Sequence, residues 1–183
     1  AAYSDKKILY QNSLSEENVK YWVTVCKDFK NLSLRPALEI DYDVYGSGEA
    51  ELAWLDEEIG IVTKNKNAMP AGYALINKIY EEIIKHGYPI SHLKFLIDDG
   101  REQKKISFTS IPVKTIQCEA NYLETDRIII LINARVQISP DQLQKIIAHA
   151  IDEIEIATEC KIIENTLSVF QPGFPHPTHR IIG

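Results

Sequence analysis

Apolar residues recur along this 183-residue chain with two alternating periods. Val19, Trp22, Val23, Cys26 and Phe29 fall three or four apart, the spacing of one helix face. Ser13 or Ser15 stands just before them, where first-turn N–H groups need an acceptor. Pro36 disfavours helix at Arg35. A helical arm and linker are therefore expected over 1–35, and one larger domain over 36–183. Leu38, Ile40 and Tyr42 alternate with Glu39 and Asp41, as in a half-buried strand. Tyr45-Gly46-Ser47-Gly48 reads as the turn of a β-hairpin, and Ala50, Leu52 and Trp54 as one side of its second strand. Asp56-Glu57-Glu58 is expected to interrupt that strand before Ile59–Val62.

The helical period returns after Pro70, where Leu75, Ile76, Ile79, Tyr80, Ile83 and Ile84 form a broad stripe that Gly87 can cap. Leu93, Phe95 and Ile97 alternate as a strand. Asp98-Asp99-Gly100 is a hairpin turn, and Ile106 and Phe108 begin the partner. The polar stretch from Pro112 to Asp126 declares no element. From Arg127 to Ile138 the alternation is clearest: Ile128, Ile130, Ile132, Ala134, Val136 and Ile138 share one face. The other face, Ile129, Leu131, Asn133, Arg135 and Gln137, turns polar halfway, which predicts that the strand leaves cover there. Ser139-Pro140-Asp141-Gln142 opens a second long helix with a buried stripe from Leu143 to Ile154. A last strand is expected near 161–170 with Ile163, Leu167 and Val169 inward, then a proline-rich tail. From Ala50 onward the order is strand, helix, strand, strand, strand, helix, strand. It predicts an α+β, ferredoxin-like β-α-β-β-(β)-α-β antiparallel sheet with two helices on one face.

Composition narrows the function classes. A formal charge of −6 argues against a domain that lives by gripping nucleic-acid phosphates. No window approaches the roughly 20 apolar residues of a membrane span. Three widely spaced cysteines, Cys26, Cys118 and Cys160, fit neither a disulfide scaffold nor paired zinc spacing, which makes the cytoplasm the expected compartment. Cys118, in the unassigned stretch, is the thiol expected to be exposed. The chain opens on Ala1 without an initiator Met, as a processed chain or a piece of a longer one would.

Three constellations could carry chemistry. Asp41 and Asp43 lie two apart on the expected strand, with Tyr45 and Glu49 around the turn. Three hard carboxylates so placed suit a divalent cation such as Mg²⁺ or Ca²⁺; the plainer reading is the polar side of an edge hairpin. His176 and His179 are half a transition-metal site, in a tail that Pro175 and Pro177 hold extended; otherwise the tail hydrogen-bonds across the sheet through them and Arg180. Asn133 and Arg135 share the half-polar strand face, where the Arg135 fork can clamp a carboxylate or phosphate, or serve a structural ion pair. His149 and His86 read as helix-flank and helix-end residues.

At these motifs the chain resembles the C-terminal region of one branch of the CobW-like GTPases. The residues concerned are Asp41-Tyr42-Asp43-x-Tyr45-x-x-Gly48-Glu49-Ala50-x-Leu52-x-Trp54-Leu55, then Leu131-Ile132-Asn133-Ala134-Arg135-Val136, then Pro172-Gly173-x-Pro175-x-Pro177-Thr178-His179-Arg180. The family's P-loop, cysteine-rich metal motif and guanine-recognition residues are not in this chain, so it does not hydrolyse GTP by that mechanism. The resemblance implies a non-catalytic accessory domain in metal or cobalamin-cofactor handling, partnered by a P-loop GTPase domain or a metalloprotein client. Two other classes stand beside it: a small metal-dependent enzyme using Asp43, Glu49, His176 and His179, and a homo-oligomeric scaffold in which an open sheet face buries against its own copy.

Overall fold

The computed structural model describes residues 9–10, 15–28, 46–48, 50–109, 115–118 and 124–174. The chain divides into two compact units, 1–39 with 177–183, and 40–176. In the first, helix α1 (Glu16–Asp28) starts where Ser15 Oγ accepts from the Asn18 amide at 3.3 Å. None of its residues is buried: Val19 and Val23 are half-buried, and Trp22 and Cys26 are exposed.

The second unit is a five-stranded antiparallel sheet under two helices. Its elements are β1 (Ala53–Val62), α2 (Ala68–Lys85), β2 (Ile90–Asp98), β3 (Gln103–Phe108), β4 (Arg127–Val136), α3 (Pro140–Thr158) and β5 (Lys161–Phe170). The strand order is β3-β2-β4-β1-β5. Without β3 the order β2-β4-β1-β5 is that of the ferredoxin-like α+β fold, each helix carrying the chain over one intervening antiparallel strand; β3 is the additional edge.

Local chemistry sets the element ends. Ser139 Oγ accepts from the Gln142 amide at 3.3 Å and donates to Gln142 Oε1 at 2.9 Å, a capping box with Pro140 in the first turn. Gly87, at φ +72, closes α2, its amide donating to Ile84 O and the Tyr88 amide to Ile83 O. Asp98 and Asp99 accept from the amides of Gly100, Arg101 and Glu102 at 2.7–2.8 Å, which holds the β2–β3 turn. Between β3 and β4, Asn77 on α2 acts as a surrogate strand: Nδ2 donates to Ile116 O at 2.7 Å and Oδ1 accepts from the Ile116 amide at 2.9 Å.

One core lies between helices and sheet. Leu55, Ile59, Ile61, Leu93, Phe95, Ile97, Ile128, Ile130 and Ile132 point into it from the strands, and Leu75, Ile76, Ile79, Leu143 and Ile147 from the helices. Gly72 lets α2 approach β4: a Cβ there would stand 2.6 Å from Ile128 Cδ1.

Several expectations need correction. Residues 46–48 and 50 are helical, so the glycines do not open a strand at Ala50. The acids Asp56-Glu57-Glu58 do not interrupt β1; they run through it, because its pairing with β4 is unbroken over ten residue pairs. Ile84 lies off the buried stripe and is 42% exposed. On β5 a bulge opposite Glu58/Ile59 shifts the alternation, so Ile162 is buried and Ile163 turns out, while Val169 packs on the core as expected. The far face of β4 does not leave cover halfway: neither α2 nor α3 covers it, and its apolar half, Ile129 and Leu131, is the more exposed.

The two sheet faces should therefore respond differently to truncation. Leu93→Ala, facing the helices, is expected to lower unfolding free energy by about 2–5 kcal/mol. Leu131→Ala, facing outward, should cost no more than about 1 kcal/mol. Urea denaturation of both at chain concentrations too low for association checks this, and equal losses would mean the outer face is covered within the chain itself.

Candidate functional site

The uncovered sheet face is where the candidate chemistry of the described residues gathers. Register explains why. Trp54 pairs with Arg135 and Asp56 with Asn133 across β1–β4, while His92 pairs with Arg135 and Lys94 with Asn133 across β2–β4. Directly paired residues share a face. One end of the open face is thus polar and aromatic. The Arg135 guanidinium carbon sits 3.6 Å from the Trp54 ring centroid, a cation–π stack. Phe170 on β5 packs against Trp54 with centroids 5.8 Å apart. His92 Nε2 lies 2.5 Å from Asn133 Oδ1, and Asn133 Nδ2 donates to Asp56 Oδ1. That chain fixes the roles: Asn133 accepts from the imidazole N–H and passes its own N–H to the carboxylate. Burial holds the His92 pKa below the ordinary imidazole value, and its hydrogen bond to Asn133 only partly offsets this.

Two donors at this end have no partner. Trp54 Nε1 and Arg135 Nε are both buried and unbonded. No described carboxylate forms an ion pair with Arg135, so the alternative of a structural ion pair is not met among the described residues.

The other end of the face is apolar. Ile129 and Leu131 on β4 and Ile163 on β5 are 39–43% exposed, with half-buried Leu96 and Val62 beside them. Gly60, at the centre of β1, adds no side chain above this surface.

Beneath the sheet, on the helix side, one acid breaks the core pattern. Glu57 is 4% exposed, between inward-facing Leu55 and Ile59, and its Oε1 has no partner. Burial, together with the charge of Glu164 and the hydrogen bond to it, pushes the Glu57 pKa up to about 7. Glu164 is the residue opposite Ile59 on β5, beside the bulge.

Of the sequence candidates, Asn133 and Arg135 come together on this face with Trp54, His92 and Asp56. Asp41, Asp43, Tyr45 and Glu49, and likewise His176, His179 and Arg180, lie outside the described residues. Among the described residues no group of three His, Cys, Asp or Glu side chains could hold a metal ion. His149 bonds Glu153 at 3.0 Å, and His86 caps α2 through Glu82 O at 2.8 Å, as helix residues do. Cys26 is the exposed thiol; Cys118 is half-buried and packs against the core, so the expectation for Cys118 is corrected. A groove of about 630 Å³ where the start of α2 meets the end of α3 carries Glu159 as the one ionisable group among its described lining residues.

Sequence reading missed His92 and Glu57. Strict alternation through Leu55, Glu57 and Ile59 was a usable signal for Glu57; nothing local marks His92. No family model matches the chain, and neither a curated protein nor a solved structure is similar enough to place it.

Glu57 and His92 give stability opposite pH slopes. Between the ordinary carboxylate value, about 4.3, and pH 7 the folded chain keeps a proton on Glu57 that the unfolded chain has released, so stability falls as pH rises. His92 releases its proton earlier in the folded chain, so stability rises with pH just below the ordinary imidazole value of about 6.5. Urea titrations should show Glu57→Gln losing the falling limb and gaining roughly 1–3 kcal/mol above pH 7. His92→Gln should lose the rising limb. A Glu57→Gln profile superimposable on the parent would show that the carboxyl is hydrated in solution.

Proposed function

We propose that this chain is a non-catalytic interaction module that works by docking its open sheet face. The supporting observation is the block of Ile129, Leu131 and Ile163, each about two-fifths exposed, side by side on the sheet face turned away from α2 and α3. Large apolar side chains grouped on a flat surface favour a macromolecular contact, whereas a small substrate favours a concave site with convergent polar groups.

The resemblance to CobW-like GTPases supplies the setting: an assembly that handles a metal or a cobalamin-related cofactor, with a P-loop GTPase domain or a metalloprotein client among the candidate partners. What supports it is convergence. Trp54, from the first quoted segment, stands beside Arg135, from the second. Gln171, immediately before the third, donates to Ala50 O, 121 residues away. The described parts of separate segments thus meet at one end of the face, as a shared binding surface would require. Arg135 and Trp54 there hold two buried N–H groups without acceptors, which suits a partner that brings a carboxylate or carbonyl oxygen.

Site-specific photo-crosslinking tests the reading. A benzophenone side chain at Leu131, used in cells that express the protein, should give discrete protein adducts. The same group at Lys145, exposed on α3, should give none. Equal labelling at the two positions, or none at either, would remove the open face as the docking surface.

A further inference from the structure

We infer that the partner of the open face is a second copy of this chain, packed face to face about a two-fold axis that runs along β4. This rests on reading that face as the docking surface, and it follows from how charge is laid out there. β4 is the middle strand, and its outward residues Ile129 and Leu131 are apolar. On one side of it Lys94 on β2 and Lys105 on β3 are exposed, with half-buried Asp98 near the turn; on the other Asp56 is exposed and Glu58 half-buried on β1, with exposed Lys161 at the start of β5. Register puts them at matched heights. Lys94 and Asp56 both pair with Asn133, and Leu96 and Glu58 both pair with Leu131, with Lys105 beside Leu96.

Two sheets that pack face to face keep their strands within about 30° of each other, about 10 Å apart. A two-fold axis in the interface plane then has two simple choices. An axis across the strands lays each strand on its own copy, so Lys94 on β2 never meets Asp56 on β1. An axis along β4 exchanges the two sides, so that Lys94 of each copy meets Asp56 of the other, and Leu96 meets the Glu58–Leu131 level with Lys105 alongside. The outward residues of β4 lie on the axis and meet their own copies, Ile129 and Leu131 at its middle and Arg127 and Arg135 towards its ends, as an isologous contact does with its central residues. Only the second choice brings Lys94 against Asp56. Arg127 and Lys161 pair with Val62 at the far end of the strands, one step beyond the apolar block.

The area is adequate. Strands of ten, nine, six, ten and ten residues, at about 3.3 Å per residue and 4.8 Å spacing, make a face of about 700 Å². A standard protein interface buries about 800 Å² per partner.

Sedimentation equilibrium of the purified chain provides the test. A species of twice 20.8 kDa is expected at about 100 μM, with a micromolar Kd. Leu131→Asp should be monomeric, and well below the Kd it should melt by circular dichroism as the parent does. Lys94→Asp and Asp56→Lys should each weaken the dimer at least about tenfold, and the double reversal should recover most of the loss. A monomeric parent at that concentration would overturn the inference, as would a double variant no tighter than the singles. Discrete Leu131 adducts to a different protein alongside a monomeric parent would end the dimer while leaving the interaction module standing; absent adducts would end both.

Discussion

The antiparallel pairing of β1 with β4 is the contact on which the rest of the domain depends. Ten consecutive residue pairs, from Ala53 with Val136 to Val62 with Arg127, fix which side chains enter the core and which reach the open face. A slip of one residue would carry Leu55, Ile59 and Ile61 out to water and bring Trp54, Asp56 and Glu58 in. Nothing short of that whole exchange is available, since side chains alternate strictly along a strand. The same register that builds the core also stacks Arg135 on Trp54 and lines up His92, Asn133 and Asp56. Core and surface are thus two readings of one pairing.

That coupling has a consequence at Glu57. With Leu55 and Ile59 committed inward, the residue between same-face neighbours is committed as well, whatever its chemistry. A charged carboxylate there would be strongly disfavoured, so the group holds its proton up to about pH 7 and hydrogen-bonds to Glu164. The β5 bulge lies at this point, between the partners of Glu58 and Ile59. Asn165, the extra residue, turns outward and donates to Glu58 Oε1 at 3.0 Å. The edge strand thereby carries both an acid pair beneath and an amide–carboxylate bond above.

What the sequence made legible follows the range of the forces involved. The helices declared themselves through the period of Leu75, Ile76, Ile79 and Ile83 and through the Ser139–Gln142 cap, because caps and amphipathic stripes are local. The ferredoxin-like order was readable for the same reason, since alternating periods name each element in turn. That one face would stand open was readable as well, because both helices were placed on the other; which part of that face lies bare was not. Ile129 and Leu131 look as apolar as Ile128 and Ile130, and only tertiary packing, which sets both helices on one side, tells them apart. The acids of β1 misled for a related reason: Asp56-Glu57-Glu58 is a poor strand sequence in isolation, and pairing on both sides overrides that preference. Asn133 and Arg135 were found because they interrupt an apolar run; His92, in a mixed segment, interrupts nothing.

The character of the open face separates docking from chemistry. An enzyme built on a sheet needs groups that converge on a point and shut out water, because electrostatic stabilisation acts most strongly in a closed site. On this face most polar groups are occupied with one another, His92 with Asn133, Asn133 with Asp56, and Arg135 with the Trp54 ring, while Trp54 Nε1 and Arg135 Nε are left without an acceptor. Such a network holds side chains still, and a rigid surface loses little entropy when a partner arrives. Beside it lie aliphatic side chains left in water, the part of a protein surface with most to gain from being covered. On the proposed reading, the preorganised polar end and the uncovered apolar end together form the surface that a partner recognises.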